Sequence, residues 1–166
     1  MSSSHIIAVA QEDLESYVAF NHGFEIGYPE SFEFIDNMAA PLPSVEFSDP
    51  NTNHTTFFNM TIFPPETDYN DLIDEELHGV GNETKVNEIL QYPTLVYFSD
   101  SETHGDSYSY TTGPVSLESL VKNIVFSDIN HVYKFSFQGL NDSFDNDLYQ
   151  QIEDSIDFFE LQSENR

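Results

Sequence analysis

In the C-terminal third of the chain, a stretch of alternating apolar and polar residues is followed by a stretch with a helical repeat of apolar residues. Residues 132–138 read Val-Tyr-Lys-Phe-Ser-Phe-Gln, and this alternation predicts a strand with one buried face. Further on, apolar residues recur every three or four positions, which predicts one amphipathic helix from Phe144 to Phe159. The members of that stripe are Phe144, Leu148, Ile152, Ile156 and Phe159. A strand followed by a helix with one apolar face makes an α/β packing unit.

The same alternation predicts strands earlier in the chain. They are expected at residues 24–28, 44–48, 57–63, 94–98 and 107–112 and from residue 122, with weaker ones at 32–34 and 85–90. Residues 69–78 are expected to form a helix, with Asp68 as its N-cap. Residues 11–20 fit either one or two helical turns or an arm leading into the domain. These elements predict the α+β class, as an α-β-α sandwich with a central, mainly antiparallel sheet and a C-terminal helix packed on it.

Length and composition bound the domain organisation and the location. The 166 residues are 39% apolar, which is enough for one domain with a core, so we expect an N-terminal arm or leader over 1–19 and a single domain over 20–166. Cysteine is absent, which excludes disulfide and thiolate chemistry. Ala8-Val-Ala10 has the form of a signal-peptidase site, so the start is either the remainder of an export signal or a frayed cytosolic terminus. The first alternative gives an extracellular or cell-surface location.

Charge narrows the class of partner. The chain has 30 acidic residues against 4 basic ones, for a net charge of −26. Such a surface repels nucleic-acid phosphates and anionic headgroups, so nucleic-acid binding is not expected. No apolar run reaches membrane-spanning length, so direct membrane insertion is not expected either. The charge favours cations or a protein partner with a basic face, and it leaves the oligomeric state open.

Three short segments match the pattern of one known domain family. Residues 23–29, Gly-Phe-Glu-Ile-Gly-Tyr-Pro, resemble the opening of PsbP-like domains, and the strand at 132–137 resembles the tyrosine-bearing penultimate piece of that family. Residues 152–158, Ile-Glu-Asp-Ser-Ile-Asp-Phe, resemble its ending, with Ile156 where the family has phenylalanine. The resemblance implies a compact α-β-α domain. Family members are interaction proteins, including extrinsic photosystem subunits, a nuclear-import factor that binds a small GTPase, and secreted proteins of unassigned role.

One acidic segment is a candidate metal site. Asp100, Glu102, His104 and Asp106 lie in a polar run predicted to be the tip of a hairpin. Asp100 and Glu102 match the first and third ligand positions of a calcium loop, whereas His104 at the fifth position suits zinc better. Thr111 stands where a full calcium loop has its bidentate glutamate. The segment is therefore either a calcium or zinc site or a solvated hairpin tip.

Strong catalytic motifs are not found in the sequence. It has no Gly-x-Ser-x-Gly elbow, no glycine-rich phosphate loop and no closely spaced histidine pair. We therefore expect a non-enzymatic binding or accessory module, with a divalent-cation-binding protein as the alternative. A hydrolase assembled from scattered residues and an acidic mimic of nucleic acid are two further hypotheses.

Overall fold

The computed structural model describes residues 13–79, 85–88, 93–98, 101–114, 117–127 and 131–159. Over these residues the chain forms strands and two α-helices, so the α+β class is confirmed. The helices are α1 (Tyr69–Gly79) and α2 (Asn146–Ser155). The strands are β1 (Leu14–Ala19), β2 (Phe24–Pro29), β3 (Glu33–Asn37), β4 (Ser44–Ser48), β5 (Phe57–Phe63), β6 (Lys85–Glu88), β7 (Pro93–Phe98), β8 (Ser101–Thr112), β9 (Ser119–Ser127), β10 (Val132–Leu140) and β11 (Asp157–Phe158).

The strands form two antiparallel sheets where the sequence predicts one. The three-stranded sheet has the order β1-β2-β11. The eight-stranded sheet has the order β3-β4-β5-β10-β9-β8-β6, and β7 pairs with β8 off this path. Its central strands β5 and β10 follow the predicted alternation, because every second residue of each is buried on the same face. Strand β9 does not, since residues 123–126 are all buried.

The main core lies on one face of the eight-stranded sheet. Phenylalanines from β4, β5 and β10 pack there against the three-stranded sheet and against Leu148 and Ile152 of α2. Phe47 and Phe58 stack at 4.7 Å between ring centroids, and Phe58 and Phe137 stack at 5.9 Å. Burial of these large aromatic side chains favours folding.

A second, smaller core lies on the opposite face of the eight-stranded sheet. Helix α1 covers β8, β9 and β10 there. The buried residues of this second core, called the α1 core below, are Ile73, Tyr108, Tyr110, Val121, Val125 and Val132. Asp68 caps α1 as predicted, since its Oδ1 accepts from the backbone N–H of Asn70 at 2.8 Å. Neither described helix has the length and apolar content that crossing a membrane requires.

Three predicted elements differ from the structure. Residues 14–19 are strand β1, paired with β2 through the turn at Gly23, so of the two alternatives for 11–20 the helical one is wrong. The last helix stops at Ser155 instead of reaching Phe159, because Asp157 and Phe158 pair with β2 as β11. Residues 101–106 are part of the long strand β8, hydrogen-bonded to β7, and not the tip of a hairpin.

Candidate functional site

The end of the eight-stranded sheet built by β3, β4 and β5 has a polar, open face. It is the face that α1 covers farther along the sheet, but none of the described buried residues of β3 or β4 joins the α1 core. A depression of about 170 Å³ lies there. Its lining residues are Ile35, Asn37, Ser44, Glu46, Asn59 and Thr61. We call this surface the open face.

Strand register explains how these side chains come together. In one row across the sheet, Glu46 lies between Ile35 and Asn59. In the next row, Ser44 lies between Asn37 and Thr61. Residues directly opposite each other on antiparallel strands project from the same face, so both rows point outward together. The result is a surface of amide, hydroxyl and carboxylate groups around one aliphatic side chain, Ile35, which is 60% exposed.

The edge strand β3 continues this surface to the end of the sheet. All five of its residues are exposed, including Phe34 at 47%. The Phe34 side chain lies on the face of β3 opposite to the open face. Its ring centroid is 5.7 Å from that of Tyr17. The edge strand therefore exposes a large apolar side chain on each of its two faces, Ile35 on the open face and Phe34 on the other.

Acidic side chains on β3 and β4 have no lysine among their described contacts. The two lysines whose side chains are described lie elsewhere: Lys134 pairs with Glu76 at 2.7 Å, and Lys122 donates to Asn146 at 3.1 Å. Lys122 also lies 5.0 Å from the centroid of the Tyr149 ring. The negative charge around the open face is therefore not offset by those two cations.

Asp36 supplies a fixed negative charge on the edge strand. The backbone N–H of Met38 donates to it at 2.8 Å, and the Tyr17 hydroxyl donates to it at 2.7 Å. These two hydrogen bonds, that of Met38 first, lower the pKa of the Asp36 carboxyl. Burial and the same contact with Asp36 raise the pKa of the Tyr17 hydroxyl. Asp36 therefore stays ionised at neutral pH while Tyr17 stays neutral.

A polar cluster of Glu76, Tyr108 and Lys134 connects α1 to the sheet beside the open face. Glu76 of α1 accepts from the Tyr108 hydroxyl and pairs with Lys134. Burial, followed by the charge of Glu76, raises the pKa of Tyr108 and of Tyr110. Each charged group has a partner within the cluster, and the side chains of Lys134 and Glu76 are 18% and 20% exposed. This arrangement is that of a structural anchor, since it offers no unpaired base or nucleophile.

Asn123 lies on the same sheet face, under α1. It is 1% exposed, and neither its Oδ1 nor its Nδ2 has a hydrogen-bond partner among the described residues. Its neighbours in register are Tyr108 on β8 and Ser136 on β10. Leaving buried polar atoms without partners is costly, so this position is a local weakness in the packing.

The predicted metal residues fall mostly outside the part of the chain whose side chains are described. Asp100 lies outside the described residues. The backbones of Glu102 and His104 lie in β8, opposite Tyr97 and Leu95 of β7, and Asp106 lies opposite Pro93. Because 101–106 is extended, the predicted calcium loop cannot wrap an ion there as a turn would. Among the described residues no three metal-ligating side chains converge, and metal binding by this segment stays a prediction.

Comparison with known proteins gives a match in structure and none in sequence. No protein-family model matches the chain, and no curated protein matches it. The solution structure of cyanobacterial PsbP (CyanoP) from Synechocystis is similar, with a TM-score of 0.59 and 17% identity over 92% of this chain and 96% of that one. The fold is PsbP-like. At this identity the likeness covers the fold alone.

A second similar structure comes from Bacteroides thetaiotaomicron. Its TM-score is 0.55 at 12% identity, over 88% of this chain. This chain spans only 48% of the length of that protein. The similarity therefore covers about half of that protein.

The sequence does not single out the open face. The polar positions of β4 and β5 are visible in their alternation, for example Asn59 and Thr61 between buried residues. That alternation predicts one wet face, but it does not say how far along the sheet a helix covers it. The extent of α1 cover depends on where residues 64–68 place the helix, which local periodicity does not encode.

Proposed function

We propose that this chain is a non-enzymatic binding or accessory module of the PsbP-like family, with its helices on both sides of the sheet as in an α-β-α sandwich. Its partner is a protein, or a membrane-associated assembly, that presents a basic face. Secretion or attachment at the cell surface is part of the same proposal. The PsbP-like fold supports it, since that fold matches CyanoP over nearly the whole length of both chains.

The observation that carries the proposal is the charge and shape of the open face. Ile35 offers apolar contact area on this face, and Glu33 and Glu46 give it negative charge. Phe34 and Asp36 of the same edge strand are also exposed, on its opposite face. A partner with lysine or arginine around an apolar centre complements this pattern in both respects. The net charge of −26 adds long-range attraction for such a partner and repels a second copy of this chain.

A pull-down from the native membrane or surface fraction tests the proposal. The wild-type chain is expected to retain a protein that is released as salt is raised, because screening weakens attraction between exposed charges. The double charge reversal Glu33→Lys/Glu46→Lys is expected to lose that protein. A matched control, Glu66→Lys/Asp71→Lys, changes the net charge equally at exposed residues away from β3 and β4 and is expected to retain it.

Two results would count against the proposal. If the wild-type chain retains no salt-sensitive protein, a binding role through this charged surface is wrong. If both double variants lose the partner equally, total charge decides binding and the open face does not.

A further inference from the structure

The two ends of the eight-stranded sheet differ in how they are protected. At one end, β6 carries Lys85 and pairs with β8 through a register shift between Lys85 and Glu88. An irregular register is one device that discourages another strand from adding to an edge. At the other end, β3 pairs with β4 in unbroken register over all five residues and contains neither proline nor lysine.

The outer side of β3 is accessible along its length. The strand order places β3 at the end of the sheet, and its described ladder is with β4 alone. All five residues are exposed. In a strand, backbone N–H and C=O groups point alternately to the two sides, so an edge strand presents a ready row of donors and acceptors.

The side chains of β3 define what an added strand must carry. Residues 33–36 read Glu-Phe-Ile-Asp, with Glu33 and Ile35 on the open face and Phe34 and Asp36 on the opposite face. Opposite charges and paired apolar residues stabilise neighbouring strands, whereas like charges destabilise them. The complement is therefore basic–apolar–apolar–basic, and this order reads the same in either strand direction.

We propose that the outer edge of β3 is a docking site for an extended, lysine- or arginine-bearing segment of a partner protein, which joins the eight-stranded sheet as an additional strand. This inference deepens the proposed function and rests on it. Backbone hydrogen bonds along β3 provide affinity, and contacts of basic residues with Glu33 and Asp36 select the partner. A second copy of this chain is disfavoured, because its β3 would bring the same acidic residues against each other.

Synthetic peptides test the edge directly. The probe is a labelled ten-residue peptide whose centre reads Lys-Val-Val-Lys, titrated into the full chain at low and at physiological salt, with fluorescence anisotropy as the readout. Two further peptides carry N-methyl groups on alternate residues, one set on the odd positions and one on the even positions. Only one of these sets faces β3 in an added strand, so one peptide is expected to bind like the parent and the other at least tenfold more weakly.

Protein variants give the matching test on this chain. Ile35→Lys places a lysine in the exposed centre of the edge and is expected to weaken binding of the parent peptide at least tenfold. It is expected to fold, since Ile35 is 60% exposed and its cross-strand partner is Glu46. Leu117→Lys is the control. Leu117 is 64% exposed, and its substitution by lysine adds the same charge as Ile35→Lys. It precedes β9, which is four strands from β3 or about 19 Å away, and its effect is expected to stay below about twofold.

Several outcomes would overturn the inference. Equal binding of the two N-methylated peptides would show simple charge attraction without strand addition. Equal effects of Ile35→Lys and Leu117→Lys would place the contact elsewhere. Slow amide exchange in the free monomer at those residues of 33–37 whose N–H groups point away from β4, or a dimer that Ile35→Lys dissociates, would show that the edge already has another occupant.

The fate of the proposed function is read separately. If the peptides fail while the wild-type chain still retains a salt-sensitive partner that Glu33→Lys/Glu46→Lys releases, the edge inference is wrong and the binding function stands. If no partner is retained at all, the proposed function is wrong.

Discussion

The backbone N–H of Gly27 donates a hydrogen bond to the Ser155 Oγ at 2.8 Å, across 128 positions of the chain. Gly27 belongs to the Gly-Phe-Glu-Ile-Gly-Tyr-Pro segment and Ser155 ends α2, so the contact joins two of the three segments that resemble PsbP-like domains. Ser155 also donates to the carbonyl of Ile152 at 2.5 Å. One hydroxyl thus ends the helix and fixes it to β2.

Gly27→Ala is expected to lower the free energy of unfolding. A Cβ at this position would lie 3.0 Å from the Ser155 Oγ and 2.8 Å from the Leu14 Cδ1. The leucine end can move, but Ser155 is held by two hydrogen bonds, so overpacking should cost about 1–3 kcal/mol. Urea unfolding followed by circular dichroism measures the difference.

Gly139→Ala is the matched control for that substitution. Gly139 is also a buried strand glycine, but the nearest atoms to a Cβ there are in the Phe144 ring, at 3.4 Å, and the Thr56 Oγ1, at 3.7 Å. Its stability is expected to stay the same or rise by up to about 1 kcal/mol, because alanine restricts the unfolded chain. Equal losses at both positions would show that the Gly27–Ser155 contact has no special weight.

Tyrosine hydroxyls take the place of missing lysines and arginines as donors to carboxylates. Tyr17 donates to Asp36 and Tyr108 donates to Glu76, and Tyr149 bonds to Glu153 in the same way. Burial, followed by the carboxylate, raises the pKa of the hydroxyl in each of these pairs. Burial also raises the pKa of Glu153. A chain with 30 acidic and 4 basic residues satisfies part of its carboxylate surface through phenols.

Stability is expected to fall as pH rises above about 10. The folded chain keeps protons on Tyr17, Tyr108 and Tyr149 at a pH where the unfolded chain releases them. The unfolded state then binds fewer protons, so the free energy of unfolding decreases with pH. Urea unfolding from about pH 8 to about pH 11, with phenolate absorbance of the folded protein, checks this. The prediction is wrong if all nine tyrosines ionise reversibly near their ordinary pKa without loss of structure.

Asn123→Val is expected to stabilise the protein by about 1–2 kcal/mol. The substitution removes two buried polar atoms that have no partner among the described residues and puts a β-branched side chain in a strand. Thermal and urea unfolding of the two proteins measure the gain. Asn59→Val is the control, since Asn59 is half-buried on the open face and its change should stay within about 0.5 kcal/mol. A loss of stability at Asn123 would mean that its amide is hydrogen-bonded in solution.

Sequence periodicity predicts most of the central strands and fails where pairing partners decide the structure. Residues 57–63 and 44–48 agree with β5 and β4, because one buried face imposes a two-residue repeat. Residues 101–106 contain no apolar repeat, yet they are strand because β7 pairs with them along their whole length. Such pairing is tertiary and overrides local preference.

The two ends of the domain show the same limit. Leu14, Tyr17 and Val18 have helical spacing, but β1 pairs with β2 in register from Leu14 to Ala19. At the other end, Ile156 and Phe159 continue the helical stripe in sequence, whereas β11 begins at Asp157 and closes the three-stranded sheet. The open face could not be predicted for a related reason, since it depends on how far α1 extends over the sheet.

Zinc is expected to bind the segment 100–106 more tightly than calcium. The backbone at Glu102, His104 and Asp106 is extended, as part of strand β8. Calcium needs six to eight oxygen ligands, which a turn gathers and an extended strand does not, whereas zinc accepts four ligands that include imidazole.

Isothermal titration of the full chain with each ion measures this difference in affinity, and Asp100→Ala/Glu102→Ala is expected to abolish the saturable heat. Glu66→Ala/Asp71→Ala removes the same charge elsewhere and should leave it unchanged. Heat that both variants retain, and that fades as salt is raised, would show diffuse counterion binding and end the metal-site hypothesis.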